Sequence, residues 1–266
     1  MTVRALTSLL VSALDLPVSC RVDQRVPKKM LAENGAITSA DKYLINNCIE
    51  EIQWLAALKP NTVGVGEYRD DEREYLEVAV LCITVRSALL GDSVGVARKL
   101  VNTAHLAKLV HRAVPYPVFL LLTTPNSLFL SLAHKRWAQN EAGKVVLDNE
   151  PTTVDMALNL TDEHPFVQAL AFIRQPQASL LVFYQGWMDC LTAWEAMQYT
   201  GTFAINETPA QAVTRRSALR RCRDLDVRIA SLRSAASKEK QITRQVAANL
   251  EIKALLAERQ QVAASI

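Results

Sequence analysis

The 266-residue sequence lacks any run approaching the roughly 20 apolar residues that a membrane span requires. Leu6 to Leu14 is apolar enough to resemble the core of a signal peptide. Its basic lead is a single Arg4, however, and Asp15 and Pro17 follow with no small-residue cleavage site. The five cysteines, Cys20, Cys48, Cys82, Cys190 and Cys222, include no C-x-x-C pair and keep no regular spacing. An odd, scattered count suits reduced thiols rather than a disulfide framework. These absences set the expectation of a soluble, cytoplasmic protein with no membrane partner.

Signatures of common chemistries are missing too. There is no G-x-x-x-x-G-K-[ST] and no G-x-G-x-x-G between strand and helix. Gly64 and Gly66 supply only G-x-G, and the acidic stretch that follows them would repel phosphate. No G-x-S-x-G elbow occurs. His105 and His111 are six residues apart on a predicted helix and so point to different faces, while His134 and His164 stand alone. No metal or other cofactor is expected. One enzymatic alternative stays open, a divergent metal-dependent nuclease using Glu77 with carboxylates from the Asp70–Glu74 loop. The order helix, strands, helix, strand resembles a restriction-endonuclease core. Such a core also wants a Glu-x-Lys pair, and here Val78 and Ala79 follow Glu77.

What is present is a core and an arm. Half of the residues are apolar and 21% are charged, so the chain can bury a substantial core. Val78–Val85 and Val118–Leu122 are almost wholly apolar or β-branched and read as strands buried on both faces. Weaker strands are predicted over Cys20–Val26, Ile52–Leu58, Thr62–Gly66, Leu128–Ala133 and Lys144–Leu147, with the Val118 and Leu128 strands forming a hairpin. Helices are predicted over 2–14, from a Thr38 or Ser39 cap to about Glu50, from Val94 to Ala113 after a Gly91-Asp92-Ser93 turn, and over Ala178–Tyr199. The fold class is α+β: a mixed β-sheet core with flanking helices, followed by a long, basic, coiled-coil-like C-terminal helical arm. Its divisions are a core over 1–150, a helical region over 151–206 that opens with a polar connector at 150–164, and the arm over 207–266. No internal repeat is visible.

The arm organises the rest. Beyond Pro209 it contains neither proline nor glycine. Leu225, Ile229, Leu232 and Ala236 recur at four-three-four spacing, one apolar stripe for a partner helix. Val246, Leu250 and Leu256 are expected to resume that face after a polar run. From Glu207 to Ile266 there are 12 Lys/Arg against 6 Asp/Glu, whereas the preceding residues carry 18 against 21. The arm is therefore basic and the body mildly acidic, which suits an acidic partner or a nucleic-acid backbone. Arg215, Arg216, Arg220, Arg221, Arg223 and Arg228 are the candidate nucleic-acid-binding residues, with Arg216, Arg220 and Arg223 on one face. Two other readings compete: arginines paired to Asp and Glu across helices, and a homo-oligomeric scaffold joined through the arm.

Several short motifs, in order along nearly the whole chain, together resemble a bacterial family described as domain of unknown function 4391. They are Arg25-Val26-Pro27-Lys28-Lys29, Ile52-Gln53-Trp54 with Leu58-Lys59-Pro60, and Val114-Pro115-Tyr116 before Phe119. Ala133-His134-Lys135 follows, then Lys238-Glu239-Lys240-Gln241 with Arg244, Val246 and Asn249. Members of that family look like accessory proteins encoded beside helicases and DNA methyltransferases in restriction and phage-defence operons. The resemblance implies a partner role; together with the missing catalytic signatures and the basic arm, it sets the expectation of a non-catalytic subunit that docks a helicase or methyltransferase and contacts DNA through its arm. It brings no catalytic residues. Candidate partner-binding residues are Lys28, Lys29, Lys135, Lys238, Gln241, Arg244, Gln245 and Asn249. The Lys238–Asn249 group has a second reading as a hairpin bend or a buried polar registration point.

Overall fold

Two apolar runs, β5 (Val78–Val85) and β6 (Val118–Thr123), lie side by side as parallel strands at the middle of a six-stranded sheet. The structure is a computed structural model and describes residues 1–35, 38–86, 103–139, 141, 143–205 and 208–266. It divides into two compact units, Met1–Leu191 and Thr192–Ile266.

In the first unit, β5 is flanked by antiparallel β2 (Ile49–Leu58) and then β1 (Arg21–Arg25). On the other side, β6 pairs antiparallel with β7 (Leu128–Leu132), and β7 with β10 (Thr152–Met156). The parallel β5–β6 step needs a crossover, and α5 (Thr103–Ala113) lies within it. The predicted Gly91-Asp92-Ser93 turn and the Val94–Asn102 part of that helix lie outside the described residues. One sheet face is covered by α2 (Lys28–Asn34), α3 (Ser39–Cys48) and α5. Leu31, Ile45, Leu106 and Val110 pack there on Ile52, Leu81, Ile83, Leu120 and Leu122. Alternation sends Val80, Phe119 and Leu121 to the opposite face. There α1 (Val3–Ala13) contacts β6, β7 and α6 (Pro165–Ala169), and α7 (Leu180–Thr200) seats Trp187 edge-on to Phe119 with ring centroids 4.8 Å apart. The result is a helix–sheet–helix sandwich.

Local chemistry explains where the elements start and stop. Thr38 accepts the Asp41 amide while the Asp41 carboxylate accepts that of Thr38, so α3 begins with a full capping box. Lys28 and Lys29 open α2, whose extended N-cap Pro27 pre-sets. Two sequence expectations change. Thr62–Gly66 is no strand: α4 (Pro60–Val63) is a single helical turn stopped by Gly64 at φ 73°. The polar connector contains β10, whose Val154 and Met156 turn inward while Asp155 faces solvent. The predicted strand at Lys144–Leu147 is present as β9 (Val145–Leu147), paired with β8 (Lys135–Trp137) in a separate two-stranded sheet.

The second unit comprises the end of α7 from Thr192, then α8 (Pro209–Lys238) and α9 (Ile242–Ala263). Gly201 at φ 75° stops α7. Thr208 and Gln211 form a capping box that starts α8. Residues Leu225, Ile229, Ile252 and Leu255 form its core, with Leu232 and Val262 packed against them.

Candidate functional site

The Leu225–Ala236 stripe finds its partner within the same chain. Arg215 reaches the main-chain oxygen of Ile266, Arg221 reaches Glu258 and Arg228 reaches Glu251, so α8 and α9 run antiparallel as a helical hairpin. Inward positions on α8 are Cys222, Leu225, Ile229, Leu232 and Ala236; on α9 they are Gln245, Ala248, Ile252, Leu255, Arg259 and Val262. Both rows keep three-four spacing, the seam of a coiled coil. The expected continuation through Val246, Leu250 and Leu256 is wrong in register. Those side chains are exposed, and Ile252 and Leu255 take the buried places.

The bend is built from the polar signature. The Glu239 carboxylate accepts the amides of Lys240 and Gln241 at 2.8 and 2.9 Å. The Gln245 amide donates to the Glu239 carbonyl at 2.6 Å, and Arg244 lies 3.8 Å from the Glu239 carboxylate. Gln241 caps α9. Gln245, Arg244 and Gln241 are thus explained by the turn, while Lys238 and Asn249 are exposed.

The candidate nucleic-acid-binding arginines separate into two groups. Arg221 and Arg228 sit seven residues apart on one flank of α8, and Glu258 and Glu251 answer them at the same interval from α9. Arg223 holds Glu195 at 3.1 Å, and burial raises the Glu195 pKa against the pull of that guanidinium. Arg215 bonds main-chain oxygens of Ile266 and Ala204. These four are engaged by acceptors elsewhere in the second unit, as in the competing reading of arginines paired across helices. Arg216 and Arg220 are exposed. Opposite them in role, Arg259 pairs with Asp226 at 2.6 Å and stacks 4.9 Å over the Tyr199 ring, while Tyr199 donates to the same carboxylate. Arg220, Arg233, Lys238, Lys240 and Lys253 are exposed and form no ion pair among the described residues. Asp224 is the corresponding exposed carboxylate. At the open end of the hairpin, Val213, Thr214, Ser217, Ala218, Arg221 and Val262 line an open groove of roughly 500 Å³.

A second polar constellation lies in the first unit, where β7 gives way to β8. Lys135 is buried, not at a partner surface as expected, and its ammonium donates to the carbonyls of His111 and Val114 at the end of α5. It satisfies carbonyls that a helix terminus leaves open. Burial pushes its pKa down to about 7. His111 is fully buried beside it, with Nε2 3.0 Å from Ser131 Oγ, and burial followed by the Lys135 charge takes its pKa down to about 3. His134 points the other way. The main-chain N–H of Lys135 lies 3.4 Å from the Tyr75 hydroxyl, leaving that hydroxyl's proton for His134 Nδ1 at 2.5 Å. His134 Nε2 then meets Gln185 Oε1 at 2.9 Å, and the Gln185 amide donates to Asp189 at 2.8 Å. This Tyr75–His134–Gln185–Asp189 chain escaped the sequence reading. Its members are up to 114 positions apart, although Ala133-His134-Lys135 stood out as a motif. Lys28 is also committed, donating to the Ile49 carbonyl at 2.8 Å, and exposed Lys29 lies 3.6 Å from Glu33.

The carboxylates of the nuclease alternative are dispersed. Glu77 is buried against Lys59 at 3.1 Å, and Glu74 pairs with Arg69 across the two-stranded β3 (Tyr68–Arg69) and β4 (Glu74–Tyr75). Asp70 holds the turn between those strands, accepting the Tyr68 hydroxyl at 2.6 Å and the amides of Glu72 and Arg73. The Tyr68 hydrogen bond is the main reason its pKa is lowered. Asp71 and Glu72 are exposed. Among the described residues, no three His, Cys, Asp or Glu side chains gather closely enough to hold a metal ion. Among the described residues, no helix is long and apolar enough to cross a membrane.

A family model described as domain of unknown function (DUF4391) matches residues 14–258. No curated protein and no solved structure matches the chain.

Proposed function

The chain belongs to the DUF4391 family, and we propose that it is a non-catalytic accessory subunit whose hairpin arm works on nucleic acid beside a larger enzyme. The enzyme class proposed is a helicase or DNA methyltransferase of a bacterial restriction or phage-defence system, as the resemblance to accessory proteins of such operons suggests. The observation that carries the reading is the charge left over on the arm. Each carboxylate facing the α8–α9 seam is already matched to an arginine, so the exposed cations Arg220, Arg233, Lys238, Lys240 and Lys253 have almost no anion among them. A two-helix hairpin with exposed cations that form no ion pair among the described residues suits a polyanionic backbone, where phosphate contacts supply affinity without base reading.

The test is DNA binding by the purified full chain over a salt series, alone and after co-expression with the helicase or methyltransferase of its own operon. Affinity is expected to fall linearly on a log–log salt plot, by about 0.9 in slope for each phosphate neutralised. Arg220→Ala combined with Lys253→Ala reduces that slope, while Arg221→Ala, which removes a paired arginine, changes it less. Salt-independent binding, or none in either setting, sinks the nucleic-acid role. Failure of either enzyme to co-purify sinks the accessory role.

A further inference from the structure

The hairpin explains one apolar seam of α9 and leaves a second one open. Ile242, Val246 and Leu250 stand in a row at four-residue intervals, 76%, 52% and 64% exposed. Ala254 and Ala257 carry the row onward and are exposed as well. At 3.6 residues per turn, Leu250 and Ala257 lie roughly 140–160° around the helix from Ile252 in the buried seam. Large apolar side chains aligned in water on one face mark a contact surface more than a solvated one. Its small residues at 254 and 257 allow a second helix to approach closely. The 22 residues of α9 extend about 33 Å, enough for a partner helix of three heptads.

Charge selects the occupant. The carboxylates of α9 are Glu251 and Glu258, and both turn towards α8, to Arg228 and Arg221. The open row is therefore flanked by Lys253, and by Lys238 and Lys240 at the bend, while the carboxylates nearest to it are already engaged: Glu239 by the amides of Lys240 and Gln241, Glu251 by Arg228 and Glu258 by Arg221. A second copy of α9 would bring Lys253 against a face that offers it no anion. A phosphate backbone would leave Ile242, Val246 and Leu250 unburied. We infer that the outer face of α9 is a docking strip for an acidic amphipathic helix of a partner protein, apolar on one side and edged with Asp or Glu. This deepens the accessory-subunit reading, on which it rests for the existence of a partner, by naming the surface and the chemistry of what binds there.

The strip is tested on the full chain with a labelled three-heptad peptide carrying Leu at the seam positions and Glu on both flanks. The controls are a scrambled peptide of equal composition and a version with Lys in place of Glu. The acidic amphipathic peptide is expected to bind and both controls to bind at least tenfold more weakly (about 1.4 kcal/mol). Leu250→Glu weakens binding about tenfold or more, whereas Val227→Glu, on the exposed face of α8, changes it by less than about twofold. An unchanged helical spectrum and melting temperature of Leu250→Glu shows that the hairpin is intact. Equal binding of the scrambled peptide, or an indifferent Leu250→Glu, overturns the proposal. So does a solution dimer that Val246→Glu converts to monomer, since a second copy would then hold the strip. Peptide binding without salt-sensitive DNA binding would sink only the nucleic-acid role. The reverse would sink only the strip.

Discussion

Lys135 costs the fold the desolvation of an ammonium and repays part of it by closing the open carbonyls of α5. With its pKa depressed from 10.5 to about 7, the folded state binds fewer protons than the unfolded state between those values. Stability therefore rises with pH from about 7 towards 10.5 on this account. His111, depressed from 6.5 to about 3, gives a similar rise over that lower window. The thiols of Cys82 and Cys190 act in the opposite sense. Burial lifts them from 9.0 to about 11 and about 12, so their contribution declines once pH passes 9. Urea midpoints measured from pH 7 to pH 9 should climb for the natural chain and stay nearly flat for Lys135→Met. Parallel curves for the two proteins would show that Lys135 does not titrate in that window. The substitution also strips the bond donor from two carbonyls, costing about 1–3 kcal/mol at every pH.

At the level of elements, close approach and apolar packing decide more than ion pairs do. Gly186 lies inside α7, where alanine is intrinsically better by about 1 kcal/mol. A Cβ there would stand 2.6 Å from Gln175 Oε1 and 2.7 Å from Pro176 Cδ. Gln175 has little freedom to yield, because its amide donates to the carbonyls of Ala169 and Ala171. Gly186→Ala is expected to destabilise by about 1–3 kcal/mol despite the better helix former; a rise in melting temperature would contradict that. In the arm the same contrast separates two neighbours. Ile229→Ala opens the seam and should cost about 2–5 kcal/mol. Arg228→Ala removes an exposed pair with Glu251 and should cost less than about 1 kcal/mol. Chemical denaturation of both variants checks the ordering, and equal losses would mean that the hairpin is held by its charges.

For the whole molecule, the uneven distribution of charge matters more than the small net value of +3. The body is mildly acidic, and the surplus of cations collects on a hairpin whose carboxylates, exposed Asp224 apart, are engaged within it among the described residues. That makes ionic strength the variable to which association should respond most, with steering towards polyanions strongest at low salt. The two long helices also differ in what they expose. The outer side of α8 is rich in arginine, and the outer side of α9 is apolar.

Periodicity alone determined much of this protein. Val78–Val85 and Val118–Thr123 admit few places other than a sheet interior, and Leu225–Ile229–Leu232–Ala236 demanded a helical partner, because period and composition are local properties of the chain. Turn chemistry already placed the start of α3 at a Thr38 or Ser39 cap, and Thr38 is that cap. Tertiary structure decided the rest. Thr152–Met156 becomes a strand because β7 offers it a free edge, and nothing in that stretch alone announces it. Lys135, a surface residue by type, goes inside because the end of α5 stands over it. Val246 and Ile252 look equivalent in the sequence, and only the register of α9 on α8 assigns one to solvent and the other to the core. A residue's propensity is set by its own side chain and immediate neighbours, whereas its burial is set by groups tens of positions away, and the accounts part wherever polar groups are enclosed or apolar ones are left out.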